Sequence, residues 1–204
     1  MESIIYTQRV DSVTSYQEKR DAADQRIVDF ISACGYLPIP LPNKPQLVEG
    51  FLSHIQPIGI ILTGGNSIVK YGGNAPERDA MDKKLIEISI QKQIPLYGFC
   101  RGMQSILDYF GNDLVDVQGH VAKRHQIIRD GKIDEVNSYH QQACIRLKDT
   151  SGLISVAESE DGVIEAVKHK QYPLWGNMWH PEREDPFHKR DMENLKRIMK
   201  SRRV

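Results

Sequence analysis

The segment Leu96-Tyr97-Gly98-Phe99-Cys100-Arg101-Gly102-Met103-Gln104-Ser105 places a cysteine between two glycines, where an apolar run meets a helical pattern. The spacing is G-x-C-x-G, the thiol counterpart of the G-x-S-x-G nucleophile elbow. A nucleophile there stands on a sharp strand-to-helix turn, and the glycines keep side chains out of the crowded corner. The following helix aims its N-terminus at the sulfur, and its partial positive charge favours thiolate. The backbone N–H of Arg101 is then free to stabilise an oxyanion. A free cysteine at a strand end is ordinarily a small buried hydrophobe. The two glycines tell against that for Cys100, whereas Cys34 (helix-end packing) and Cys144 (strand packing) have no such setting.

A thiol nucleophile needs a base, and the base needs a third group to hold its tautomer. Among seven histidines, His180 follows a strand-like segment in Trp175-Gly176-Asn177-Met178-Trp179-His180-Pro181-Glu182. In extended chain, residues i and i+2 point the same way, so Glu182 can hold one imidazole nitrogen while the other faces sulfur. Alone, His-Pro-Glu reads as a surface turn. With the elbow, it completes a Cys100–His180–Glu182 triad. The second oxyanion donor is expected from Leu62-Thr63-Gly64-Gly65-Asn66, with Gly65 favoured, Gly64 next to it, and a plain strand-ending turn as the ordinary alternative.

These pieces need strands and helices to carry them. Ile4-Ile5-Tyr6, Ile58–Leu62 and Pro95–Phe99 are short apolar runs of strand length. Between and after them come helical patterns over about 16–33, 47–55, 77–93 and 101–110, and a last one over about 189–202. Tyr36–Leu41 is extended because Pro38 and Pro40 forbid a helix. Continuous apolar strands alternating with helices imply a mostly parallel sheet covered on both faces. Later segments read as hairpins: Ala143–Leu147, Ile154–Glu158 and Val163–Val167, the last two joined at Asp161-Gly162. The stretch 71–79 suits either a substrate lid or an ordinary surface connection. The basic C-terminal segment, including Arg202 and Arg203, is expected to be a solvated helix face.

Length and composition bound the rest. The chain has 204 residues, with 27 Lys+Arg against 27 Asp+Glu. One domain over 1–204 is expected. Zero formal charge argues against a nucleic-acid partner. A hydrophobic share of 40% with 26% charged residues excludes disordered and collagen-like classes. No apolar run reaches bilayer length and no signal peptide is visible, so no membrane partner and a cytoplasmic location are expected. The three cysteines are too few and too widely spaced for a disulfide framework or a CxxC zinc site.

Taken together, Gly98-Phe99-Cys100-Arg101-Gly102-Met103-Gln104, Thr63-Gly64-Gly65, Asn137-Ser138-Tyr139-His140-Gln141 and His180-Pro181-Glu182 resemble a class I glutamine amidotransferase domain in its γ-glutamyl hydrolase branch. The motifs occur in family order over about 4–182. The resemblance implies an α/β three-layer sandwich of flavodoxin-like topology. It implies cysteine-dependent hydrolysis of a γ-glutamyl amide through a thioester, releasing glutamate, with no metal and no organic cofactor. It adds Gln104, Gly64, Asn137, Ser138 and His140 as substrate-binding residues, although a polar turn and a satisfied structural histidine remain open readings of the last three.

The leaving group is the harder half. Arg101 after the nucleophile favours the hydrolase branch. Met178–Glu184 is similar to small hydrolases of capsule polysaccharide phosphoramidate biosynthesis, which release glutamate from γ-glutamyl-CDP-amidate to give cytidine diphosphoramidate. A nucleotide-linked substrate of that kind is the leading specific expectation. A diphosphate would need cations, and His120–His125 with Arg129 and Lys132 form a local basic cluster that either supplies them or is a solvated charged loop. The alternatives are a γ-glutamyl-γ-aminobutyrate-type hydrolase and a glutaminase subunit feeding ammonia to a synthase partner in trans. Whatever leaves, iodoacetamide near neutral pH is expected to alkylate Cys100 faster than a free thiol; equal rates, followed by peptide mass spectrometry, would remove the activated nucleophile.

Overall fold

The structure is a computed structural model and describes residues 1–201. The strands are β1 (Ser3–Tyr6), β2 (Arg9–Val13), β3 (Glu18–Ala22), β4 (Leu37–Pro40), β5 (Gly59–Leu62), β6 (Leu96–Phe99), β7 (Val115–Asp116), β8 (Val121–Arg129), β9 (Lys132–Tyr139), β10 (Gln142–Ala143), β11 (Leu153–Ser159), β12 (Ile164–His169) and β13 (Leu174–Asn177). The helices are α1 (Gln25–Ala33), α2 (Val48–Ile55), α3 (Pro76–Lys92), α4 (Arg101–Tyr109) and α5 (Lys189–Met199).

Nine strands form one sheet in the order β4-β1-β5-β6-β13-β12-β11-β8-β9. From β4 to β13 every pairing is parallel. From β13 to β9 every pairing is antiparallel. The sheet is therefore mixed, and the expected parallel character belongs to the half that carries the elbow. There, strand residues alternate between two apolar layers. Ile4, Tyr6, Ile61, Tyr97 and Phe99 meet α1 and α5 on one face. Ile5, Ile60, Leu62 and Leu96 meet α2, α3 and α4 on the other. Both faces are covered, which is why these strands read as unbroken apolar runs. Among the described residues, no helix is long and apolar enough to cross a membrane.

Three expectations need correction. The helix over about 16–33 begins only at Gln25. Residues 9–22 instead form the β2–β3 hairpin, registered from Arg9 opposite Ala22 to Val13 opposite Glu18, with Gln17 turning at positive φ. The Asp24 carboxylate accepts from the Arg26 N–H and caps α1, so helical geometry starts there. Second, the basic stretch from His120 and the polar run around Asn137 are not loops. They lie on the long β8–β9 hairpin, whose Asp130-Gly131 turn has φ of 53° and 71°. Arg129 stands opposite Lys132, as a two-residue Asp-Gly hairpin turn requires. Third, Ala143–Leu147 is strand only at Gln142–Ala143, which pairs with β7. The last helix ends at Met199, and Arg202 and Arg203 lie outside the described residues.

The capping assignment has a direct check. Asp24→Ala is expected to lower unfolding free energy by about 0.5–2 kcal/mol in urea titration. A helix already running from residue 16 would put position 24 in its interior, where alanine stabilises.

Candidate active site

Three neighbouring parallel strands end side by side and deliver the site. β5 runs into Thr63-Gly64-Gly65, β6 into Cys100, and β13 into Met178-Trp179-His180. Clefts at the carboxyl ends of parallel strands are where α/β sheets place their ligands.

Cys100 sits at φ 51°, ψ −112°, a conformation costly for a non-glycine residue. Its neighbours show why the elbow needs glycine. A Cβ on Gly98 would lie within 2.6 Å of the Gly102 carbonyl, and one on Gly102 would collide with the Leu62 carbonyl. Helix α4 thus approaches β5 and β6 more closely than any side chain allows. Arg101 opens α4, where backbone N–H groups have no intrahelical acceptor. Gly65, at φ 136°, backs onto Arg9 and lines the same small cleft as Cys100, Gln104, Tyr139 and His140, with a volume of about 150 Å³. A larger hollow of about 450 Å³ beside Trp175 and Arg129 contains none of Cys100, His180, Glu182, Gly64, Gly65, Gln104, Asn137, Ser138 or His140.

His180 and Glu182 are both buried, and His180 Nδ1 lies 2.7 Å from Glu182 Oε1. Burial disfavours the imidazolium. The charge of Cys100, a hydrogen bond to it, and Glu182 outweigh burial and raise the His180 pKa to about 10. The structure therefore brings Cys100, His180 and Glu182 into one electrostatic unit. A Cβ on Gly64 would lie 2.8 Å from His180 Cε1, so Gly64 gives the imidazole its room and faces the histidine. Phe99 and Tyr139 meet the ring edge-on, with centroids at 5.7 and 5.5 Å.

The residues expected to bind substrate separate. Gln104 reaches the cleft and donates to the Gln142 carbonyl at 2.8 Å. His140 also lines the cleft but is buried. Asn137 is turned to the histidine segment instead. Its Oδ1 accepts from the His180 N–H and its Nδ2 donates to the His180 carbonyl, both at 2.8 Å. It thereby clamps the backbone of the base. Ser138 is buried and donates to the His120 carbonyl at 2.7 Å, so it ties the hairpin together. The basic cluster is also dispersed by strand alternation. Arg124 pairs with Glu135 and Glu184, Arg129 with Asp134, and His120 and His125 face Glu165. The stretch 71–79 is a packed connection: Tyr71 hydroxyl bonds Asp108 and accepts from Leu114, and Asp79 pairs with Arg101.

One feature was missed at the sequence level. The Arg101 side chain, 1% exposed, points away from the cleft onto Asp82, Asp79 and Ser105. Asp82 also accepts from Arg78 Nε at 3.1 Å. Arg78 Nη2 continues to the Thr63 carbonyl at 2.8 Å and to Thr7 Oγ1 at 2.7 Å. The signal was present in the sequence: Arg78 and Asp82 stand four apart on the stripe that also carries Met81 and Leu85, and charges on a buried stripe must pair.

Known proteins are similar to this chain in sequence and in fold. The family model described as glutamine amidotransferase class-I matches residues 20–197. The γ-glutamyl-CDP-amidate hydrolase of Campylobacter jejuni subsp. jejuni serotype O:2 is 33% identical over 184 residues, covering 88% of this chain and 89% of that one. The γ-glutamyl-γ-aminobutyrate hydrolase of Escherichia coli O157:H7 is 29% identical over 201 residues, covering 78% and 77%. A solved glutamine amido transferase from Methylobacillus flagellatus superposes with a TM-score of 0.60 at 13% identity, covering 96% of this chain and 76% of that one. A solved GMP synthase component from Thermoplasma acidophilum superposes with a TM-score of 0.71 at 18% identity, covering 98% and 93%. These last two likenesses speak for the fold alone.

The raised His180 pKa sets a pH dependence. The group is held above its ordinary 6.5, so its contribution to stability is complete below that value and is lost as pH rises through about 10. The difference in unfolding free energy between wild type and Cys100→Ala, followed by urea titration from pH 6.5 to about 10, is expected to shrink toward the alkaline end. A histidine NMR titration should show one imidazole protonated across that window, and moved back toward the usual range in Glu182→Gln. An ordinary titration of every histidine would contradict the coupled pair.

Proposed function

The chain belongs to the class I glutamine amidotransferase family, and from that premise we propose that it hydrolyses a γ-glutamyl amide bond, with Cys100 as nucleophile, His180 as acid and base, and Glu182 as the group that orients His180. The observation that carries the reading is the shared placement of Cys100, His180 and Glu182 at the ends of adjacent strands, with His180 bonded to Glu182 at 2.7 Å and coupled to Cys100.

In this mechanism the Cys100 thiolate attacks the γ-carbonyl carbon. The carbonyl oxygen takes up the electron pair and is held by the N–H groups of Gly65 and Arg101. Collapse of the tetrahedral species breaks the C–N bond, and the departing amine takes a proton from His180. Water then enters, His180 takes one of its protons, and hydroxide attacks the thioester carbonyl. Glutamate leaves and the thiolate returns. Gln104 and the cleft wall beside His140 receive the glutamyl end. Asn137 acts through the His180 backbone and is assigned as a positioning residue. The whole chain works as one catalytic domain. Three buried cysteines without disulfides support a reducing, cytoplasmic setting.

For the leaving group we favour a nucleotide-linked amidate, as the activity named for the Campylobacter relative suggests; a role in capsule phosphoramidate synthesis rests on that relative alone. Arg124 and Arg129 of the basic cluster are engaged in ion pairs, and the diphosphate is assigned to the cleft mouth. There the Arg183 guanidinium stacks on Tyr139 at 4.3 Å, a cation on an aromatic plate suited to a phosphorylated nucleoside.

Glutamate release by the purified protein tests both halves, with glutamine, γ-glutamyl-γ-aminobutyrate, γ-glutamyl dipeptides and γ-glutamyl-CDP-amidate as the panel. Efficient release from γ-glutamyl-CDP-amidate is expected, absent in Cys100→Ala and lowered about 10²–10⁴-fold in Glu182→Gln. Preference for another γ-glutamyl amide would replace the leaving group and keep the chemistry. Failure on the whole panel would overturn free-standing hydrolysis in favour of a glutaminase awaiting a synthase.

A further inference from the structure

Beside the cleft lies a second cluster that the hydrolytic mechanism does not use. Glu165, on β12, is 1% exposed and is surrounded by histidines from the β8–β9 hairpin. His120 Nδ1 lies 3.4 Å from Glu165 Oε1, His140 Nε2 3.5 Å, and His125 Nε2 3.4 Å. His120, His140 and Glu165 can each present one ligand atom so that all three lie within 4.8 Å of one another. Among the described residues, both Glu165 oxygens, both His140 nitrogens, His120 Nδ1 and His125 Nε2 are buried without a hydrogen-bond partner. Buried polar atoms are ordinarily satisfied, and here the unsatisfied ones converge on one carboxylate.

We propose that His120, His140 and Glu165 bind a divalent transition-metal ion of the zinc class. Ligand chemistry favours it: two imidazoles and a carboxylate make up a common zinc donor set. The two distances to Glu165 Oε1 agree, because ligands at about 2.0–2.1 Å from a tetrahedral ion stand about 3.3–3.5 Å apart, and the three ligand atoms together lie within 4.8 Å. The outer contacts agree too. His120 turns its other nitrogen, Nε2, to Asp161 Oδ2 at 2.9 Å, the carboxylate–histidine arrangement that fixes a metal-binding tautomer. A bulge at Ala122, where the β8–β9 register shifts, lies just past His120, and bulges re-aim side chains next to sites. His125 stands as the outer partner of Glu165. The ion would pin the start of β8, the end of β9 and β12 together. The His140 N–H to His120 carbonyl bond of 3.0 Å already closes that corner. It would thereby fix the wall that brings Tyr139 and His140 to the cleft. This departs from the expectation of no metal, and it does not depend on which amide the enzyme cleaves.

Zinc is the probe. The full chain is stripped with a chelator, dialysed, and titrated with Zn²⁺, and separately with Co²⁺, in wild type and in Cys100→Ser, which removes the buried Cys100–His180 pair as a competing ligand set. The expected result is about one ion per chain in both, a rise in Tm on adding Zn²⁺, and the visible absorption of tetrahedral Co²⁺. Glu165→Gln and His120→Ala are expected to lose binding. Because buried substitutions can unfold the chain, Asp161→Ala, at a half-exposed position, is the second variant, expected to fold and to bind Zn²⁺ about 10–100-fold more weakly. Absence of binding by wild type overturns the proposal and leaves protons holding the cluster. Binding that Asp161→Ala and His120→Ala leave unchanged, or that Cys100→Ser abolishes, puts the ion elsewhere and also overturns it.

Discussion

Two guanidinium groups share the buried carboxylate of Asp82, and the relation between the two halves of the proposed oxyanion hole follows from that pairing. Arg101 reaches Asp82 from the first turn of the elbow helix. Arg78 reaches it from α3 and extends to the carbonyl of Thr63, at the start of the Gly64-Gly65 loop. A buried carboxylate carrying one guanidinium would be a costly charge pair, and losing either partner would leave an ion without solvent. Here Asp79, at the edge of the network, pairs with Arg101 and balances the second positive charge. Ser105 adds to the network, donating to Asp82 at 2.8 Å and accepting from Arg101. The β5 loop and the β6 elbow are therefore held by ion pairs behind them as well as by the sheet between them.

Against that fixed support, the elbow can hold its strain. Cys100 occupies a backbone region that only a surrounding structure can impose. Gly98 and Gly102 allow that imposition, since a methyl group at either would push the helix off the strands. On the other side, Asn137 holds the His180 peptide by both its donor and its acceptor. The proposed base is thus positioned from the antiparallel half of the sheet and the proposed nucleophile from the parallel half. The mixed sheet has a function in this arrangement: the long hairpin wraps around to brace a histidine that follows β13.

The elbow, the His180–Glu182 pair and the parallel half were legible because each has a local signature: glycines flanking a cysteine, a two-residue spacing in extended chain, and unbroken apolar runs. What escaped reading depended on partners distant in sequence. Residues 9–22 carry few apolar side chains, and their pairing is settled by the β2–β3 register and the Asp24 cap. The β8 face looked like a basic patch because a short run of sequence shows charge without direction. Alternation then sends Arg124 outward to Glu184 and His125 inward to Glu165. The Asp130-Gly131 turn was the overlooked sign that these residues form a hairpin. Arg101 was not legible as a buried ion, since its partners lie about twenty positions away on α3.

The same geometry divides the recognition problem in two. The cleft around Cys100 is small, about 150 Å³, below the several hundred Å³ of a drug-sized ligand site. It can enclose a small group and little more, and its lining includes Gly65, Ser67, Gln104, Tyr139 and the buried His140. Anything attached beyond the amide nitrogen must lie outward, over Tyr139 and Arg183, where side chains are partly exposed and their pairing with ligand is weakened by water. Enclosed contacts discriminate strongly, because a mismatched group leaves buried polar atoms unpaired, whereas contacts at the mouth discriminate weakly. On the proposed function, a fold built this way would keep its acyl specificity while its leaving group changed through a few substitutions at the rim. That is a physical reason why relatives that share the fold and about a third or less of their residues carry names with different amines.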